Sequence, residues 1–210
     1  MSAAAAARAD NHGVAETSSH RGPAPKRIVT GYGFWIFLLS DFIIFASLFA
    51  TWGVLVHATA GGPTTHDLFD LRTVGIETAA LLFSSYACGL AGIAAQRKRA
   101  MEFQLWMLAT AALGAVFLGL EINEFVDLVA KGAGPQRSAF LSAFFTLVGC
   151  HGLHVSLGLL WLFTMMAQVF AKGFRADIER RLLCFSLFWH ALDIIWVGIF
   201  TAVYLFGVYL

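Results

Sequence analysis

Charge is scarce in this chain. Asp, Glu, Lys and Arg make up 13% of its 210 residues, about half the share usual in a soluble domain. With 59% hydrophobic residues and a mean hydropathy of +0.73, the composition describes one integral membrane domain with a short polar tail. The net charge of +1 says little, because the placement of the charges matters more than their sum. Cysteine is also rare. Cys88, Cys150 and Cys184 lie in or at the ends of apolar runs, and an odd count without pairing signals argues against a disulfide framework. The four prolines, Pro23, Pro25, Pro63 and Pro135, all fall outside the apolar runs. That argues against the broken helices of a transporter site. No G-x-G-x-x-G, phosphate-binding loop or C-x-x-C-H motif occurs, so the familiar nucleotide and c-type haem signatures are missing. Met1 to Ala7 is too weakly apolar for a signal peptide, so the first transmembrane helix is expected to act as its own insertion signal.

What the chain does have is long apolar runs. The longest, Ala139 to Ala171, bears no Asp, Glu, Lys or Arg. At about 1.5 Å per residue it outreaches the ~30 Å hydrocarbon core and reads as a long transmembrane helix. Within it, FFTLVGCHGLHVSLGLLW (Phe144 to Trp161) sets His151 and His154 three apart on one face. Gly149, Gly152 and Ser156 lie beside them, at a spacing that predicts close approach by a neighbouring helix backbone.

Taken in order, Met1 to Thr30 reads as a disordered polar tail, with His12 and His20 as solvated residues. Helices are predicted at Tyr32 to His57, Thr73 to Ala95, Phe103 to Val129, the long run above, and Leu182 to Val208. The linking segments are Ala58 to Arg72, with a turn at Gly61-Gly62-Pro63, the basic Gln96 to Glu102, the Gly/Pro turn Lys131 to Ser138, and the charged Lys172 to Arg181. The expected fold is all-α: a five-helix transmembrane bundle over residues 31–210. Eleven of the 14 Lys and Arg lie in the tail and in the second and fourth linkers. The excess of positive charge on the inner side places the N-terminus in the cytoplasm and the C-terminus outside.

The ionisable residues inside the spans are Asp41, Glu77, Glu121, Glu124, His151, His154, His190 and Asp193. Such residues are candidates for function by default. One reading is a metal site, but the di-iron pattern needs Glu-x-x-His on two helices. Here the helices offer Glu-x-x-Glu, His-x-x-His and His-x-x-Asp. A second reading is a proton path through a buried acid such as Asp41. A third is structural: His190 and Asp193 bridge turns of their own helix or meet Glu124 or His154 on others, fixing the packing. Trp35, Trp52, Trp106 and Trp161 are interfacial anchors or core.

At these residues the chain resembles subunit III of the haem–copper respiratory oxidases. The resemblance rests on GFWIFLLSDFIIFASLFATW (Gly33 to Trp52), FLSAFFTLVGCHGLHVSLGLLW (Phe140 to Trp161) and FSLFWHALDIIWVGIFTAVYL (Phe185 to Leu205). Within that family it looks most like the quinol-oxidase, cytochrome o type branch. Five spans, the loop TAGGPT (Thr59 to Thr64) and GPQRSAFLSAFF (Gly134 to Phe145) point there. The alternatives are the cytochrome c oxidase branch and an independent transporter.

The resemblance implies an accessory subunit of a complex that oxidises ubiquinol, reduces oxygen to water and pumps protons across a bacterial inner membrane. It implies no haem or copper in this chain, those groups residing in partner subunits. It also implies direct packing on subunit I, association with subunits II and IV, and bound phospholipid. Asp41 falls where the family usually has a buried Glu, and would support a lipid cleft or proton uptake. Glu124, His151, His154, His190 and Asp193 match family positions taken as structural.

Overall fold

A computed structural model describes residues 26–61 and 71–207 of the chain. Its elements are α1 (Lys26–Leu55), α2 (Leu71–Gln96), α3 (Ala100–Ala130), α4 (Ala139–Lys172) and α5 (Ala176–Ile199), which runs on into a π-helical segment, Phe200–Leu205. Among the described residues, five helices are long and apolar enough to cross a membrane. At 34 residues, α4 is roughly 50 Å long, well beyond the ~30 Å apolar slab.

Two boundaries differ from expectation by more than three residues. Residues 26–30 belong to α1 rather than to the tail, and α5 starts at Ala176 rather than Leu182. The charged residues before Leu182 look like loop, yet Asp177 and Glu179 lie in the first turn of α5, where carboxylates complement the helix dipole. These turns are helical because their charge extends past the apolar slab, which limits hydropathy and not helicity. The rest of the tail and the turn's Gly62 and Pro63 lie outside the described residues.

The connections are short and well bonded. At the α2–α3 corner Arg97, Lys98 and Arg99 donate backbone N–H to Ile93, Ala95 and Ala94. Lys98 pairs with Glu179 at the start of α5 and stands over the Phe174 ring. After α3, Gly132 takes φ +76°, a left-handed conformation that costs glycine little. Ala133 N–H then closes back onto the Leu128 carbonyl at 2.9 Å. Ser138 caps α4, its hydroxyl accepting from Leu141 N–H at 3.2 Å.

Helices α2 to α5 pack as a ring, each against the next in order and α2 against α5, and α1 leans on α4 and α5. The core holds Phe103, Phe117, Phe140, Phe144, Phe185, Trp196 and Tyr204, all nearly or wholly inaccessible. Trp52 is buried and Trp161 packs against this core, while Trp35 and Trp106 are exposed. The tightest helix approach is not at Gly149 or Gly152. A Cβ on those residues would meet the Phe125 side chain at 3.6 Å and Leu118 at 3.9 Å, ordinary contacts with side chains rather than a backbone. The close approach is made by Trp189. Its indole fits between Gly114 of α3 and Gly158 of α4, where added Cβ atoms would each come within 3.0 Å of the ring.

Candidate functional site

The seam between α2 and α5 carries a series of polar contacts. Trp196 Nε1–H donates to Thr78 Oγ1 at 3.1 Å. Nearer the other end, Trp189 Nε1–H donates to Ser84 Oγ at 3.2 Å. His190 Nδ1 and Ser85 Oγ are 2.6 Å apart. Numbers rise along α2 as they fall along α5, so the two helices run antiparallel. Asp193 lies one turn beyond His190 and neighbours both Ser85 and His190. His190 therefore finds its partner on α2, and neither Glu124 nor His154 supplies it. Apolar side chains surround these groups, so each bond replaces water that the bilayer interior does not supply.

The two histidines of α4 share a face, as their spacing predicts, and both rings meet Phe45, with centroids 6.4 Å away for His151 and 5.3 Å for His154. Their surroundings differ. His151 is fully buried, and its Nε2–H donates across to the Leu192 carbonyl of α5 at 3.2 Å. Its ring lies against Trp196 with centroids 5.2 Å apart, and against Phe117 at 5.7 Å. His154 is half-buried, and Nδ1–H donates to the Cys150 carbonyl of its own helix at 2.7 Å. With Asp41 it lines a small cavity between α1, α4 and α5, closed by Phe45, Phe188 and Leu192. The volume, about 10 Å³, is on the scale of one water.

A third group gathers where α2, α3 and the π-helical segment meet. Tyr204, fully buried, donates its O–H to Glu124 Oε2 at 3.0 Å. Glu121 has Glu77 and Glu124 as electrostatic neighbours. Glu77 and Glu121 are buried, and Glu124 is half-buried. The carboxyl oxygens of Glu77 and Glu121, Nδ1 of His151 and Oδ1 of Asp193 have no hydrogen-bond partner among the described residues.

The structure thus sorts the sequence candidates into three places: His190 and Asp193 on the α2–α5 seam, Asp41 and His154 at one cavity, and Glu77, Glu121 and Glu124 around Tyr204. His151 stands between the aromatic core and the α5 backbone. Among the described residues no three His, Cys, Asp or Glu side chains are placed to hold one metal ion. The partners that sequence reading missed are Thr78, Ser84, Ser85 and Tyr204. Serines and threonines inside a helix commonly bond back to their own carbonyls, so nothing local marks Ser85 as the partner of a histidine 105 residues away. Tyr204 is turned by a π-helical stretch that hydropathy does not announce.

A family model described as cytochrome c oxidase subunit III matches residues 11–208. The chain is 51% identical over 199 residues to cytochrome bo(3) ubiquinol oxidase subunit 3 of Pseudomonas aeruginosa, covering 95% of this chain and 94% of the relative. To the protein of that name from Pseudomonas putida it is 48% identical over 180 residues, covering 86% and 87% of the two chains. To quinol oxidase subunit 3 of Bacillus subtilis it is 41% identical over 197 residues, covering 92% and 97%.

Proposed function

The chain belongs to the cytochrome c oxidase subunit III family, and from that premise we propose that it is the non-catalytic subunit III of a haem–copper ubiquinol oxidase. The observation that carries the proposal is the similarity, along nearly the whole chain, to subunits named for ubiquinol oxidases. In this reading haem and copper reside in partner subunits, and this chain contributes packing and polar anchoring. Subunit I is the direct partner, with subunits II and IV in the same assembly. The membrane is a bacterial inner membrane, with the N-terminal tail that precedes α1 in the cytoplasm and the C-terminus in the periplasm. Phospholipid is held against the apolar outer face.

The internal architecture supports such a role. Buried imidazole and indole groups are spent on helix-to-helix hydrogen bonds, which makes this chain a firm body for a partner to pack on. Helix α1 leaves an apolar flank uncovered, with Ile28, Val29, Ile36, Phe37, Ile43 and Ile44 exposed, and this face suits another transmembrane surface or lipid. Asp41 is the residue assigned to supporting proton uptake, because it shares a water-sized cavity with His154. Deleting the chain from a cell that depends on this oxidase tests the proposal. Loss of assembled, active ubiquinol oxidase, restored by the full chain, is expected. Normal yield, pumping and turnover lifetime without the chain would refute it.

A further inference from the structure

We propose that the membrane face between α2 and α5 binds a lipid-soluble quinone or quinol through His190. This extends the oxidase reading above, which supplies the ligand's chemical class. The face carries a shallow, open cleft of about 370 Å³ lined by Ser85, Tyr86, Gly89, Leu90, Ile93 and His190. Ser85 and His190 sit near the midpoints of α2 (Leu71–Gln96) and of α5 with its π-helical continuation to Leu205. The cleft therefore opens at mid-membrane depth.

Three observations select the ligand. First, the His190 ring is half-buried and only half-satisfied: Nδ1 is held by Ser85 at 2.6 Å, and Nε2 has no hydrogen-bond partner among the described residues. A polar atom at this depth is stabilised by a partner, and bulk water does not supply one. Second, the depth selects among lipids. A phospholipid headgroup stays at the interface, about 15 Å from the midplane, and its acyl chain has no hydrogen-bonding group. A quinone ring travels in the apolar slab and carries carbonyl or hydroxyl oxygens there. Third, the cleft has room: a Cβ built on Gly89 meets no atom within 4 Å, and Tyr86 stands 67% exposed at the rim. An aromatic side chain there offers a flat face to a flat ring.

Either redox state has a matching donor or acceptor. The tautomer that donates Nδ1–H to Ser85 leaves Nε2 to accept from a quinol hydroxyl. The other tautomer donates Nε2–H to a quinone carbonyl. Binding is the whole of the proposal, and no electron transfer is assigned to this chain.

The test uses the intact complex and a photoreactive azido-ubiquinone, with the labelled peptides located after digestion. Label is expected on α2 and α5 of this chain, displaced by excess ubiquinone. Gly89→Phe, which fills the cleft one turn from Ser85 while leaving residues 85 and 190 themselves unchanged, should lower the label per recovered chain about tenfold, the factor of a modest loss of affinity. Ile93→Trp, at an exposed rim position, is the second filling variant and covers a failure of the first to assemble. Label confined to other subunits, label undiminished by both filling variants, or displacement by a simple fatty acid as readily as by ubiquinone would overturn the proposal. A complex that oxidises quinol normally yet leaves α2 and α5 unlabelled rejects this site alone. A complex without haem or quinol oxidation rejects the oxidase reading itself.

Discussion

Gly158 and Gly152 lie less than two turns apart on α4, and alanine at the two positions should have opposite effects. A methyl at Gly158 would sit 3.0 Å from Trp189 Cζ3, 3.3 Å from Cε3 and 3.2 Å from Phe188 Cε1. The indole cannot retreat easily: its Nε1 is bonded to Ser84 and its far edge already lies against Gly114 of α3. Forcing a methyl into such a site costs about 2 kcal/mol of strain. Replacing a helical glycine returns ~0.8 kcal/mol of backbone entropy. Gly158→Ala should therefore destabilise the fold by roughly 1 kcal/mol. At Gly152 the nearest atom to the new methyl is Leu118 Cδ1 at 3.9 Å, so the entropy term stands alone and Gly152→Ala should stabilise by ~0.8 kcal/mol. The two variants then differ by about 2 kcal/mol, or about 30-fold in the folded-to-unfolded ratio. Reversible unfolding of the purified chain in mixed micelles, read by tryptophan fluorescence, measures both. Trp189→Phe in the Gly158→Ala background should recover part of the loss by removing the indole's outer ring. Equal stabilities for the two single variants would refute the assignment of Trp189 as the knob between α3, α4 and α5.

Other consequences can be checked in the same preparations. His190→Leu removes the imidazole that bonds Ser85 at mid-membrane, leaving the hydroxyl to Asp193 and its own helix, and should cost about 1 kcal/mol, seen as weaker recovery of this chain with its complex in harsher detergent. Asp193→Leu acts at the same knot and should shift recovery in the same direction, and unchanged recovery of both would contradict the seam. Asp41→Asn should leave assembly intact and slow proton uptake during turnover, measured with a pH dye in vesicles. Pumping and turnover lifetimes equal to wild type across pH would remove Asp41 from that role. Lys98→Met should change stability by no more than ~0.5 kcal/mol, because its pair with Glu179 is solvent-exposed and screened.

The spans and their order were legible in the sequence because a bilayer imposes one demand, some twenty apolar residues with few charges, and that demand dominates every other pattern. Helix ends were not, since Lys26 and the Ala176–Arg181 turns are helical beyond the slab where hydropathy carries no information. The ionisable residues stood out for the same reason the spans did: they break an apolar background. Their partners did not stand out. Ser85, Thr78 and the Leu192 carbonyl are ordinary features of any helix, and only three-dimensional placement couples them to His190, Trp196 and His151. Gly149 and Gly152 attracted notice by their neighbours His151 and His154, whereas Gly114 and Gly158 acquire their role from an indole on a different helix.

The most direct test of the central claim is purification of the complex in mild detergent through a tag on the N-terminus, with the co-purifying chains identified and the visible haem spectrum recorded, followed by dissociation in a harsher detergent. An accessory oxidase subunit predicts that haem co-purifies at first and then leaves with a large polytopic partner, so that this chain is recovered colourless. Haem or iron that stays with this chain alone would contradict the account and reassign His151, His154 and His190 from packing to ligation.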